Sequence, residues 1–212
     1  AKFDARMQHA IARINETGLP LVYLNQVCGQ DELVFDGTSF VLNADLSLAH
    51  QLPAWQETVR LTEWSRGEKG WICKKGEASD VETGLEAVYN ACVLGLRDYV
   101  QKNRFPGVVL GLSGGIDSAL CAAIAVDALG PDKVFCVMLP YRYTSSESVS
   151  DAEACAAALG VRYTSIPIED PVKGFLSALD PLFADTQSDT TEENLQSRTR
   201  GTILMALSNK FG

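Results

Sequence analysis

The sequence predicts an α/β protein whose second half is wound on a parallel sheet. Three observations carry that expectation. Short apolar runs at Val108–Leu112, Lys133–Leu139 and Val161–Pro167 alternate with helical patterns. Such alternation calls for parallel strands joined by crossover helices on both faces of the sheet. A glycine-rich loop then joins the first of these strands to its helix.

In chain order, Lys2 to Glu16 places Phe3, Met7, Ala10, Ile11 and Ile14 at helical spacing. Thr17-Gly18 stops that helix and Pro20 follows it. Leu21 to Asn25 reads as a buried strand. Leu33-Val34-Phe35, the turn Asp36-Gly37 and Ser39 to Asn43 read as a β-hairpin. Asp45 to Glu63 mixes polar and apolar residues. Trp64 to Asp80, rich in Gly, Lys and Glu, has no period and reads as a linker. Three segments result: 1–63, a linker over 64–80, and 81–212. In the last, helices are expected over Glu82–Lys102, Asp117–Leu129 (ended by Gly130-Pro131), Ser148–Leu159 (closed by Gly160), Pro171–Leu182 and Thr191–Lys210. A helix at the first residue, and a stop at Phe211-Gly212 where a fourth strand should begin, read as the two cut ends of a longer protein.

The chain has 212 residues, 46% hydrophobic and 21% charged, ordinary globular usage that excludes a disordered or collagen-like chain. No apolar run reaches the roughly 18–20 residues of a membrane helix, and Ala-Lys-Phe-Asp does not open a signal peptide. Eighteen basic against 27 acidic residues give a net charge of −9, which argues against nucleic acid and membrane as partners. The six cysteines form no CxxC pair, and only His9 and His50 could join them, so a structural zinc is not expected. Cys92, Cys121, Cys136 and Cys155 sit among apolar residues and read as buried free thiols of a cytoplasmic protein.

The sharpest motif is Gly111-Leu112-Ser113-Gly114-Gly115-Ile116-Asp117-Ser118. Gly114 and Gly115 let the backbone turn tightly and approach a ligand. The first N–H groups of the following helix are unpaired, and with the helix dipole they favour an anion. The Ser113 and Ser118 hydroxyls can add donors. Asp117 would repel a bare phosphate, so its role is to hold Mg²⁺ on the phosphates. The bland alternative is a tight turn capped by Ser113 or Asp117.

This loop resembles that of the ATP pyrophosphatase family, the enzymes with an SGGxDS loop that cleave ATP to AMP and pyrophosphate. Two further stretches resemble NAD synthetases. Glu193-Asn194-Leu195-Gln196-Ser197-Arg198-Thr199-Arg200-Gly201, continuing through Leu204 to Asn209, is similar to their ENxQxRxRG…LMALSN helix. Met138 to Ser145 is similar to the loop after their second strand. Upstream, Gly29 to Phe40 resembles the GGQDELVFDGGSF stretch late in the nitrilase-type glutaminase domain of the glutamine-dependent enzymes, with Cys28 and Thr38 replacing two glycines. Lys2 resembles the lysine that contacts glutamine there. It reads equally as an exposed lysine on a first helical turn. Gln30, Asp31, Glu32 and Asp36 are assigned to folding rather than chemistry.

The resemblance implies an adenine nucleotide α-hydrolase-like (ATP pyrophosphatase) parallel-sheet domain over 81–212, preceded by part of a nitrilase-like α/β sandwich over 1–63. It implies a carbon–nitrogen ligase that uses ATP and Mg²⁺ to amidate deamido-NAD, with nitrogen from glutamine or ammonia. ATP is expected on Gly111 to Ser118, the metal on Asp117, glutamine on Lys2, and deamido-NAD on Asn194, Arg198 and Arg200. The family's amidase nucleophile would lie upstream, so no catalytic residue of the glutaminase part is expected here. A homodimer or higher oligomer is implied, with Glu82–Lys102 and Thr191–Lys210 as interface candidates. On the residues alone, Asn194 and Arg198 share a helix face while Arg200 is offset. That stretch also reads as a solvated face with Glu193 paired to Arg198 or Arg200. Two rivals are an ATP-binding module without turnover and a GMP synthetase-like enzyme.

Overall fold

A computed structural model describes residues 2–68, 70–184 and 186–211, with the Lys2 side chain outside the described residues. The described chain divides into two compact units, Ala1–Tyr99 and Val100–Gly212.

In the first unit, helix α1 (Lys2–Thr17) closes with the Gly18 N–H on the Ile14 carbonyl at 2.7 Å. Its apolar stripe buries Ala10 and Ile14 against Phe40 and Leu42, with Phe3, Met7 and Ile11 packed at the margin. Those partners lie on a three-stranded antiparallel sheet of β1 (Leu21–Tyr23), β4 (Phe40–Leu42) and β5 (Leu48–Gln51), in the order β1-β4-β5. Tyr23 stacks on Phe40 at 5.1 Å.

Three expectations fail in this unit. The strand expected to be buried stops at Tyr23 and is half-exposed, with Leu24 beyond it open to solvent. The expected hairpin has the wrong partner. β3 (Leu33–Asp36) pairs with β2 (Val27–Gln30), and β4 pairs instead with β1 and β5. The chain reverses at Asp31-Glu32, where Asp31 takes φ +50°. The reason is that Asp36 spends its carboxylate on long-range partners. Arg6 donates to it from both terminal nitrogens, at 2.8 and 2.5 Å, and Asn25 donates to it at 2.8 Å. Gly37 and Thr38 are both left-handed, at φ +73° and +49°, and carry the chain across rather than back.

The third failure is the linker. Trp64 to Asp80 contains an antiparallel hairpin, β6 (Trp64–Gly67) and β7 (Gly70–Cys73). Asn43 clips it down, accepting from the Cys73 N–H at 2.8 Å and donating to the Cys73 carbonyl at 3.1 Å. Cys73 is thereby buried with Val41 and Ala49. Helix α2 (Gly84–Lys102) packs on the β2–β3 hairpin at a glycine pair. A Cβ at Gly29 would stand 3.0 Å from the Gly95 Cα, and the Gly29 N–H donates to Asp98 at 2.8 Å. The division between the units therefore falls inside α2 and not in the segment 64–80.

The second unit follows expectation. β8 (Val108–Gly111), β9 (Val134–Met138) and β10 (Arg162–Ser165) form a parallel sheet in the order β10-β9-β8. α3 (Ile116–Leu129) and α4 (Ser146–Leu159) are the crossovers; α5 (Glu169–Phe183) and α6 (Thr190–Phe211) follow. Side chains alternate across β9. Val137 belongs to the buried cluster on which Ile203, Leu204 and Leu207 of α6 pack, while Cys136 senses Cys155 of α4. Helices thus cover both faces. The buried alanines Ala122, Ala125, Ala152 and Ala156 let α3 and α4 sit close.

All six cysteines are free thiols. Cys136 is buried and Cys155 half-buried, but Cys92 and Cys121 are exposed, contrary to expectation. Their apolar neighbours in sequence lie on other faces of the same helices, and helical periodicity turns the thiols outward. Among the described residues no helix is long and apolar enough to cross a membrane.

Candidate active site

The chemistry-bearing residues of the second unit gather at the carboxyl edge of its parallel strands. Open α/β sheets place ligands at that edge because the following helices point their N-termini there. The Leu112 N–H donates to the Val137 carbonyl at 2.9 Å, which holds the start of the loop against β9. Gly114 then takes φ +80°. A Cβ built on it would stand 2.3 Å from the Ser148 carbonyl oxygen. Both backbone conformation and space therefore require glycine, because the first turn of α4 presses on the loop.

Helix α3 begins without a side-chain cap: its N-cap is Gly115 in extended conformation. The turn capped by Ser113 or Asp117 is thus not what forms. Instead the serines brace the loop internally. Ser113 Oγ accepts from the Gly115 N–H at 3.3 Å, and Ser118 Oγ accepts from the Ser113 N–H at 3.1 Å. Ser118 Oγ donates to the Gly115 carbonyl at 2.9 Å, so the 3.0 Å contact between the two hydroxyls takes its hydrogen from Ser113. Both hydroxyl hydrogens are engaged. The uncapped N–H groups at the start of α3 are what the loop offers to an anion. Ile116 and Asp117 are exposed in that first turn.

The segment after β9 forms the opposite wall. The Thr144 N–H donates to the Tyr141 carbonyl at 2.8 Å, and the Tyr141 N–H donates to Thr144 Oγ1 at 3.0 Å. Arg142 lies over the rings of Tyr143 and Tyr141, at 4.7 and 5.4 Å. Ser145 caps α4 by accepting from the Ser148 N–H at 3.1 Å. That cap and the Ser148 carbonyl against Gly114 were not anticipated. A serine at the N-cap, three residues before Ser148, was the signal available.

On α6, Asn194 and Arg198 are exposed, as a shared helix face predicts. Arg200 is separate from them. It is half-buried, and its Nε donates to the Leu139 carbonyl at the end of β9, at 3.1 Å. Among the described residues no ion pair joins Glu193 to either arginine. For a divalent cation the exposed Asp117 is the carboxylate at the loop, and the described residues hold no cluster of three His, Cys, Asp or Glu. A single carboxylate suits Mg²⁺, which keeps its waters and takes phosphate oxygens as further ligands. A cavity of about 450 Å³ lies elsewhere, in the first unit, walled by Asn25, Gly37, Thr38, Ser39 and Leu52. The glycine-rich loop is an open edge, and it is this edge, not the cavity, that carries the uncapped helix start and the carboxylate of Asp117. Lys2 opens α1, but its side chain lies outside the described residues.

Sequence comparison matches the NAD synthase family model to residues 88–212, from the second turn of α2 through the loop and α6. The chain belongs to the NAD synthase family. Glutamine-dependent NAD(+) synthetase of Rhodobacter capsulatus is 54% identical over 211 residues, covering 100% of this chain and 38% of that protein. The enzyme of the same name from Acinetobacter baylyi is 47% identical over 97% of this chain and 38% of its own length. The solved structure of glutamine-dependent NAD+ synthetase from Acinetobacter baumannii, in complex with ADP, superimposes with a TM-score of 0.94 at 46% identity. That superposition covers 100% of this chain and 40% of the other. NH3-dependent NAD synthetase from Campylobacter jejuni, at 26% identity and a TM-score of 0.55, covers 61% of this chain. The chain therefore spans under two-fifths of the curated NAD synthase relatives it matches first. The parallel sheet and helices of its second unit have the architecture of the family's NAD synthase domain.

Proposed function

We infer that this chain carries the ATP site and part of the dinucleotide site of a glutamine-dependent NAD synthetase, a ligase that converts deamido-NAD to NAD. The observation that carries the reading is the uncapped start of α3 behind Gly114, where both φ and the contact with α4 require glycine. In this reading residues 81–212 belong to the ATP pyrophosphatase domain and 1–63 to the nitrilase-type glutaminase domain, where Lys2 contacts glutamine.

ATP sits with its pyrophosphate on Gly111 to Ser118. Asn194 and Arg198, exposed on one face of α6, meet deamido-NAD, the arginine suited to its diphosphate. The nicotinate carboxylate attacks the α-phosphorus: an O–P bond forms, the bond to the bridging oxygen breaks, and pyrophosphate leaves. Ammonia then adds to the acyl carbon, AMP departs with the C–O electron pair, and the surplus proton passes to water. The carboxylate is already a nucleophile, so no general base is needed in the first step. The chain's work is to position both substrates and to stabilise negative charge with the N–H groups of α3. Mg²⁺ held by Asp117 would neutralise phosphate charge. A second copy of the chain, meeting through α2 and α6, is the partner this reading adds.

The test is NAD formation by the full-length protein from ATP, Mg²⁺, deamido-NAD and ammonium. The expected result is turnover that falls roughly 100-fold or more in Asp117→Ala. Tight ATP binding with no product would instead favour a silent nucleotide-binding module. Unchanged turnover in the variant would remove Asp117 from the site.

A further inference from the structure

Arg200 differs from Asn194 and Arg198, the two other residues of α6 assigned to the substrate. Its neighbours in the motif, Asn194 and Arg198, are exposed, whereas Arg200 is half-buried and spends its Nε–H on a backbone carbonyl. That carbonyl belongs to Leu139, the first residue beyond β9, where the active-site wall begins. From Leu139 the chain runs through the Tyr141–Thr144 turn to Ser145, the cap of α4, and on to Ser148, whose carbonyl abuts Gly114 of the phosphate loop. Elsewhere α6 meets the sheet through apolar side chains and, at its far end, through Phe211, which lies under the Arg162 guanidinium of β10 at 5.1 Å. Ile203, Leu204 and Leu207 pack on the buried cluster that holds Val137, and the Leu204 side chain reaches within 3.6 Å of a Cβ built on Gly111. Apolar contacts of this kind hold a helix down but leave its sliding and rotation weakly fixed. A directional hydrogen bond fixes both.

We propose that Arg200 is a positioning residue: its Nε–H, not its charge, sets α6 against the end of β9 and so holds Asn194 and Arg198 at the distance from the phosphate loop that dinucleotide binding requires. The inference rests on the synthetase reading above and changes the role of one residue within it. Arg200 is then not a ligand of the substrate diphosphate.

Side-chain covalent structure allows the two roles to be separated. In both arginine and glutamine a nitrogen bearing hydrogen is bonded directly to Cδ. Arg200→Gln therefore keeps an N–H donor at the place of Nε and loses the charge. Arg200→Lys does the reverse, putting a methylene where Nε was and the cation one atom further out. Arg200→Met loses both.

The three variants are made in the full-length protein and assayed with ammonium as nitrogen donor, varying deamido-NAD and ATP separately. Melting temperatures are measured alongside. Arg200→Met is expected to lower kcat/KM for deamido-NAD by about tenfold, the scale of one well-placed hydrogen bond. Most of the loss should lie in KM, with KM for ATP changing less than about twofold. Arg200→Gln should recover the larger part of that loss and Arg200→Lys should not. The opposite order, with Lys recovering and Gln failing, would make Arg200 a charge contact to the substrate and overturn the proposal. Equal losses in all three that track a fall in melting temperature would reduce it to a fold-stabilising residue, and no loss in any would remove it. Absence of NAD formation by the unaltered protein would defeat the synthetase reading itself, and the inference with it. An active parent with the wrong order of variants defeats the inference alone.

Discussion

The two units solve the burial of a small sheet in different ways. In the second, three parallel strands are covered on both faces by helices, and Val134, Cys136 and Val137 of the central strand are essentially inaccessible. Its polar groups are left at one edge, where the phosphate loop lies. In the first unit α1 packs on Phe40 and Leu42 of the sheet and Cys73 of β7 packs with Val41 and Ala49, so a helix covers one set of residues and a hairpin the other. Leu24, Val59 and Leu61 are 82%, 98% and 92% exposed. The elements that do pack are tied by polar clips: Arg6 to Asp36 and Thr38, Asn25 to Asp36 and Gly37, Asn43 to Cys73, and Asp98 to Gly29. Stability in the second unit comes from apolar burial, which tolerates many similar sequences. In the first, directional contacts between residues far apart in the chain add to such burial, and each is hard to replace.

The largest effect should come from the one place where the second unit is not tolerant. Gly114→Ala forces a Cβ to 2.3 Å from the Ser148 carbonyl at a residue with φ +80°. Either the loop or the start of α4 must move. We expect NAD formation by the full-length protein to fall at least about 100-fold, since displacement of the order of an ångström costs that much in a positioned site. Ala122→Ser, a buried change in the same unit, should cost far less activity. If Gly114→Ala retained more than a tenth of the activity, the contact between the loop and the first turn of α4 would not set the site's geometry.

The same contrast decides what the sequence could reveal. β8, α3, β9, α4 and β10 each pair or pack with their neighbours in chain order, so apolar runs, Gly130 and Gly160 suffice to place them. The tight strand-to-helix turn of Gly111 to Ser118 was legible for a related reason, since all its parts lie within eight consecutive residues. The first unit was misread at Asp36-Gly37, which has the composition of a hairpin turn. Its fate is set by Arg6, thirty positions upstream, and no local pattern reports such a partner. The hairpin inside the supposed linker was hidden likewise, because Asn43 supplies the contacts that hold Cys73. The Arg200 contact was hidden for the converse reason: helical spacing sets it off the face of Asn194 and Arg198, but only packing shows its Nε–H on the Leu139 carbonyl.

Next in size is the removal of the first unit's main clip. The Arg6 and Asp36 side chains are 16% and 24% exposed, and the pair is bidentate. The carboxylate raises the Arg6 pKa further above its ordinary value, chiefly through the hydrogen bond. Asp36→Ala leaves a largely buried guanidinium without that partner and removes the Asn25 acceptor as well. A cost of about 2–4 kcal/mol is expected. Hydrogen exchange should show it as faster exchange in β2, β3 and β4, with β8 to β10 keeping their protection. Equal loss of protection in both sets of strands would break the contrast drawn above.

The smallest effect concerns the second unit's core and appears only at high pH. Burial pushes the Cys136 thiol from 9.0 to about 11, and the neighbouring Cys155 adds to the shift. A group whose pKa is raised by folding contributes stability that is complete below its unfolded value. That contribution is lost as pH rises through the folded value. The protein should therefore weaken between about pH 9 and pH 11, by on the order of 2 kcal/mol from this thiol. Tyr163, on the same face of the sheet, is also shifted upward by burial and by Glu153, and its buried hydroxyl has no partner among the described residues. It adds to the same alkaline loss. Urea unfolding of the full-length protein at pH 8, 9.5 and 10.5, followed by a probe in β9, separates the two. Cys136→Ala should flatten the earlier part of the decline and leave the Tyr163 part in place. An unchanged decline in that variant would mean that the core of the second unit opens to hydroxide before the thiol titrates. The parallel sheet would then be less protected than its burial implies.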